Sequence, residues 1–404
     1  MASRYWVGGG STQNWAATGN TNWSATSGGA NNASVPTSLD DVIFDVNSGA
    51  LPSTIGANIT VLSLTITSGY TGTMTHTGTV TVAGSITFGA NYTIAGAAGI
   101  TSSGTGSITS NGKVFPNSVS FLGAVTRTIV GTWSILGSLN MGAASTMNGS
   151  DVIIGNGVTV ASTWSGTSNV YLTGGTWSGG GQVQLTSFNI QGNVTLGATV
   201  TIGGACILNY VSGTVTTTGS TLFLGLGSTP TLNTAGIVWN NITLNGTNTV
   251  TLTSALTATG TLATTTGATS NTFAGAFGFT VGTLNILSVD ARILTLANGV
   301  TYVVTTSLNA ADSRTGSKFL FTSDHATIKA ILYIGLSASC NTNASFTRID
   351  ASKGRTIASF NGVITDCTNI ISYSDVKRQP FQEANRSSGR IGMTNKVKNS
   401  VYLQ

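Results

Sequence analysis

The chain has 404 residues, 40% of them hydrophobic and only 7% charged, with a formal net charge of +5. Disordered chains pair low hydrophobicity with high net charge, so this balance excludes them. A single Glu and two His leave little material for acid–base or metal chemistry.

Residues 1–45 hold three of the seven Trp, at positions 6, 15 and 23, and end in Val35-Pro36-Thr37-Ser38-Leu39-Asp40-Asp41-Val42-Ile43-Phe44-Asp45. Stacked-strand columns need a cap over their open end. This segment is therefore read as an N-terminal cap or attachment segment, with Trp6, Trp15 and Trp23 as cap or interface residues. The opening Met-Ala-Ser-Arg-Tyr-Trp-Val-Gly-Gly-Gly has no apolar core of signal-peptide length, and no later stretch approaches a membrane span. Synthesis in a cytoplasm without membrane insertion is expected.

From 46 to 289 the charged side chains are Lys113, Arg127 and Asp151. Strands stacked in register lie about 4.8 Å apart, where repeated like charges would repel by about 3 kcal/mol per pair at an effective dielectric of about 20. Thr, Ser and Asn stack without that penalty. A six-residue beat runs through the stretch: Met74-Thr75-His76, Val80-Thr81-Val82, Ile86-Thr87-Phe88 and Tyr92-Thr93-Ile94, then Phe188-Asn189-Ile190, Val194-Thr195-Leu196, Val200-Thr201-Ile202 and Cys206-Ile207-Leu208. A third run puts an apolar residue at 226, 232, 238, 244, 250, 256 and 262. Two segments also match at length, Val80 to Gly89 and Val194 to Gly203. Three-residue strands with one apolar face cannot bury that face alone, but piled coil on coil they form one apolar column. The fold predicted is all-β: an elongated, parallel β-helix-like β-solenoid over 46–289. Antiparallel hairpins fit the same beat and remain the alternative. Helix is excluded by the Gly, Thr and Ser content.

Charge returns from Asp290 onward, where 20 of the 27 charged residues lie. Residues 290–376 are read as a more charged C-terminal β region. Residues 377–404 are a basic polar tail carrying Lys377, Arg378, Arg386, Arg390, Lys396 and Lys398 against Glu383. That tail accounts for the whole net charge. Six bases spread so thinly do not make a nucleic-acid stripe, so no nucleic acid is expected as partner, and these six are candidate residues of a docking arm. Cys206, Cys340 and Cys367 are scattered and odd in number, supporting neither a disulfide framework nor a zinc site.

Arg4-Tyr5-Trp6-Val7-Gly8-Gly9, Asn22-Trp23-Ser24 and the Val35–Asp45 segment resemble the opening of a loose family of mostly uncharacterised Gly/Thr-rich β-solenoid proteins of bacteriophages and bacteria. The stretch around Ile364-Thr365-Asp366 is similar to their final strands. The resemblance implies a phage virion component or a bacterial surface β-helix, and it brings no catalytic residue.

Candidate sites are few. Asp40, Asp41 and Asp45 supply oxygens for a cation such as calcium, or cap a turn. Trp6, Trp15, Trp23, Trp164 and Trp177 offer flat rings to sugars, or fill a core. Asp290, Asp312, Asp324, Asp350 and Asp366 raise the question of a paired-carboxylate glycosidase, but no spacing pairs them. No nucleophile elbow or phosphate loop is present. The expectation is a non-enzymatic virion structural protein without cofactors: a tail fibre, spike or capsid decoration subunit acting as a rigid rod in assembly or host attachment. Its expected partners are copies of itself (a homotrimer is favoured), other virion proteins and a host-surface glycan. A bacterial surface adhesin and a polysaccharide-degrading phage spike are the alternatives.

Overall fold

The computed structural model describes residues 1–373, excepting 18–20, 218, 266–269, 287–292, 311–318, 343 and 361. Along it, inward positions are aliphatic or aromatic and outward ones are mostly Thr, Ser or Asn. Such strands bury one face only when stacked, and here they wind into a β-solenoid of about 15 turns of parallel strands. At about 4.8 Å per turn the column is about 70 Å long.

Each coil carries three short strands, one on each of three faces. In the first coil these are β3 (Asp41–Phe44) on face I, β4 (Ser53–Ile55) on face II and β5 (Ile59–Val61) on face III. The next coil lays Ser63–Ile66, Thr73–His76 and Val80–Val82 on them in parallel register. The inward ladder of face I then reads Val42, Leu64, Ile86, Ile108 and Ile129, each paired with the next. All five are at most 2% exposed. Burying such a side chain contributes about 1.5–3 kcal/mol relative to leaving it in water, and repetition makes the column continuous.

The six-residue beat is thus the step from face to face. Met74 lies on face II, Val80 on face III and Ile86 on face I, and the strands from Phe188, Val194 and Val200 take the same three faces in the same order. The matching segments Val80–Gly89 and Val194–Gly203 both cross from face III to face I. Pairing one coil apart in parallel rules out the hairpin alternative. In the third apolar run Leu226 and Val238 are 72% and 47% exposed, so they do not belong to the core. Their neighbours Leu224 and Trp239 point inward instead, held by pairing with Leu244 and Ala258 of the next coil.

Coil length drifts. Successive face I partners are 22 residues apart at Leu64 and Ile86, 19 apart at Trp164, Val183 and Ile202, and 24 apart at Asn285 and Asn309. Parallel pairing continues past residue 290, with Ser270–Phe273 paired to Ile293–Leu296 and these to Leu320–Ser323. At the corners the backbone of one coil presses on the next. Gly213 has φ +99°, and a Cβ there would lie 2.2 Å from the Gly192 carbonyl oxygen. Only glycine suits that corner.

At the N-terminal end β1 (Ser3–Trp6) pairs in parallel with β3 and antiparallel with β2 (Trp23–Ser24). Asn14 bridges to Thr54 on face II. Trp6 and Trp15 both stack on Phe44, with centroids at 5.6 and 5.4 Å, and Trp23 meets all three rings edge-on. The Trp23 indole donates to the Trp15 carbonyl at 2.9 Å. Aromatic bulk thereby fills the column's first open coil.

One inward residue is a cation. Arg127 alternates with exposed Thr126 and Thr128 and is fully buried. Gly106 stands beside it in the preceding coil, leaving room for the guanidinium to reach the Gly84 and Val82 carbonyls two coils away. Burial pulls its pKa down to about 10. Its partner on the other side is Met147, so no like charge is stacked against it.

Candidate binding faces

Because strand residues alternate, each face carries outward columns that repeat once per coil. On face III, Thr60, Thr81, Thr101, Ser120, Asn140 and Thr159 follow one another in register. On face II, side-chain amides and hydroxyls are bonded into a chain. The Asn169 amide donates to Asp151 at 3.0 Å, Ser187 to Asn169 at 2.9 Å and Asn189 to Ser187 at 2.8 Å. Asn209 then donates to Asn189 at 3.1 Å, and Asn233 to Asn209 at 2.8 Å. These groups are satisfied within the chain, so this ladder is a source of rigidity. A second ladder is internal: Asn248, 1% exposed, accepts from Ser228 and donates to Asn271 at the corner leading into face II.

Face I carries two columns side by side in the later coils. The first runs Thr199, Thr221, Asn241, Thr261, Thr283, Ser307. The second runs Thr201, Phe223, Thr243, Ala263, Asn285, Asn309. All but Thr201 are half-buried, with their outer atoms in solvent. A hollow of about 260 Å³ opens at the corner where face III turns into face I, lined by Thr217, Val238, Trp239, Asn240 and Thr259 among others. A second, of about 330 Å³, lies on face III between Asn193, Thr195, Thr214 and Thr216. Neither is lined by a titratable side chain.

The sequence candidates fall elsewhere. Trp6, Trp15, Trp23, Trp164 and Trp177 are all at most 1% exposed, so none presents a ring to a sugar. Asp45 caps the 3-10 turn Val46–Ser48, accepting from the Asn47 and Ser48 N–H groups. Asp41 accepts from the Ser63 hydroxyl. Burial raises the Asp40 carboxyl, but bonds from Thr37 and the Arg4 guanidinium outweigh it and leave its pKa below the usual value. With the three acids committed to protein donors, the calcium reading loses its ligands. Among the described residues no three His, Cys, Asp or Glu side chains gather as a metal site.

Of the remaining acids, Asp324 accepts from Asn298, Asp350 from Ser352, and Asp366 pairs with Lys329 at 3.2 Å. Asp290 and Asp312 lie outside the described residues, as do Lys377, Arg378, Arg386, Arg390, Lys396 and Lys398 of the basic tail. His76 points into the column with Nδ1 unpartnered, and burial lowers its pKa to about 4. Cys206 is buried and its thiol is pushed up to about 12, which makes it inert. The paired outward columns of face I are what sequence reasoning missed. Their signal, polar residues at i and i+2, recurs only at the drifting coil length.

The class of protein these features define is a β-solenoid whose outer faces carry neutral hydroxyl and amide columns. No family model matches the chain, and neither a curated protein nor a solved structure matches it.

Proposed function

We propose that this chain is a non-enzymatic structural subunit of a bacteriophage virion, a tail fibre, spike or capsid decoration protein that serves as a rigid rod in particle assembly or host attachment. One observation supports the reading above the others: a parallel stack runs from an aromatic-plugged first coil through about 15 turns, and the carboxylates described on it are dispersed and committed to structural bonds. A polysaccharide-degrading spike needs two carboxylates about 5–9 Å apart across a cleft, and among the described residues neither of these two hollows is lined by one. Shape is then the working property. Stacked coils resist bending, one end docks on the particle, and the faces meet a host surface or neighbouring subunits. Self-association, as a trimer, is the assembly proposed, with the basic segment 377–404 as docking arm.

Immunogold electron microscopy with antibody to this chain tests the assignment on particles purified from a lysate of its source culture. Label on tails or capsids is the expected result. Label confined to the envelope of uninfected cells would replace the virion by a surface adhesin.

A further inference from the structure

We propose that the column encloses a binding site for one halide ion, chloride in ordinary buffers, at the corner where face III turns into face I. Its ligands are the Arg127 guanidinium and the Ser102 hydroxyl.

Arg127 is the second residue of the face I strand Thr126–Val130 and points inward just past that corner. Its side chain runs back beside Gly106 and donates to the Gly84 and Val82 carbonyls, two coils away. The coil it passes carries Ser102, the last residue of the face III strand Ile100–Ser102, paired with Val82 in the coil before. Ser102 is 1% exposed and Arg127 0%. Among the described residues neither the Ser102 Oγ nor the Arg127 Nε has a hydrogen-bond partner. Two unsatisfied polar groups therefore lie on adjoining coils at one corner of an apolar core, a pattern that marks a bound water or ion.

Charge decides between the two. Several core tryptophans leave an indole N–H without an acceptor as well, but those donors are neutral. A buried cation left without a counter-charge is far more costly. Arg4 faces Asp40, and Arg348 is only half-buried, whereas Arg127 is fully enclosed. Asp151, the one acid between residues 46 and 289, precedes the face II strand Val152–Ile154 at the opposite end of face I and is bonded to Asn169. Burial alone acts on the Arg127 pKa, and at about 10 the group is still charged at neutral pH. Buried charges in folded proteins are paired, and here the chain supplies no partner. Water accepts from the Nε–H but leaves the charge standing. Oxyanions bring several oxygens that each need a donor once buried. A halide is a single atom that takes both donors and neutralises the guanidinium.

The test is urea unfolding of the full chain at neutral pH, in sodium chloride against sodium gluconate at equal ionic strength. Once chloride exceeds its dissociation constant, the folded-to-unfolded ratio should rise about tenfold for each tenfold rise in chloride. Arg127→Met puts an unbranched apolar chain beside Met147, and it should fold and lose that dependence. Ser102→Ala should move the dependence to about tenfold higher chloride. Crystals of the wild-type chain grown in sodium bromide should show an anomalous peak beside the Arg127 Nε. The proposal is overturned if chloride and gluconate act alike on the wild type, or if Arg127→Met keeps the chloride response. Bromide found only on the outer faces would be an adventitious ion only, and would overturn it as well.

Discussion

Replacing His76 by leucine should abolish a defined part of the protein's acid sensitivity. The imidazole points into the column, 2% exposed, and meets the Phe115 ring edge-on at 5.9 Å. Burial lowers its pKa from 6.5 to about 4. The unfolded chain therefore takes up a proton that the folded chain refuses. The stability this group contributes is complete above pH 6.5 and is lost as the pH falls through 4. The gap is worth about 3 kcal/mol. Carboxylates titrate over part of the same range, so the readout is the difference between wild type and His76→Leu. All seven Trp are buried, and their fluorescence reports unfolding in urea. Between about pH 7.5 and about pH 4 the wild type should lose about 3 kcal/mol more than the variant. A pH-independent difference would mean that His76 has the same pKa folded and unfolded, as a hydrated imidazole does, and would refute the placement of that strand's inward face.

Three other substitutions probe the cap, a corner and the internal ladder. Trp15→Ala removes a ring stacked on Phe44 and should cost about 3–5 kcal/mol in urea unfolding, with hydrogen exchange rising first in residues 1–66. Gly213→Ala forces a side chain into a left-handed corner against the Gly192 carbonyl, and its melting temperature should fall by several degrees, where an exposed helical or strand glycine would gain. Asn248→Ala strips the Ser228 hydroxyl of its acceptor and leaves the Asn271 side-chain oxygen only the backbone N–H of residue 248, and should cost about 1–3 kcal/mol. An unchanged urea midpoint would remove that ladder from the account.

Much of this architecture is legible in the sequence, and what is not has physical reasons. Triplets such as Val80-Thr81-Val82 announce a strand with one buried face, and low charge announces stacking in register. The parallel stacking predicted from these signals is what the structure shows, and the hairpin alternative that gives the same beat falls to it. The beat fails to forecast burial at Leu226 and Val238. Inward facing is set by the coil stacked beneath, and coils whose length changes, 19 residues in one place and 24 in another, slip out of phase with a step of six. Trp133, Trp164 and Trp177 sit between Thr, Ser or Gly, the signature of an inward residue on a half-polar strand, so their burial was available from alternation. Arg127 carries the reverse signal: it occupies an inward position by alternation, and only Gly106 one coil earlier makes that tenable. Face I stayed invisible because its columns emerge from register, not from neighbours along the chain.

In this fold residues about 20 apart lie side by side in parallel. Cysteines placed outward on consecutive coils of face III measure it most directly, in a chain whose own Cys206, Cys340 and Cys367 are replaced by Ala. The pair Ser120→Cys and Asn140→Cys, partners in register, should bring Cα atoms to about 5 Å and oxidise to a disulfide. The pair Ser120→Cys and Thr159→Cys, two coils apart at about 10 Å, should stay reduced. Ready cross-linking of the second pair, or none in the first, would contradict the solenoid.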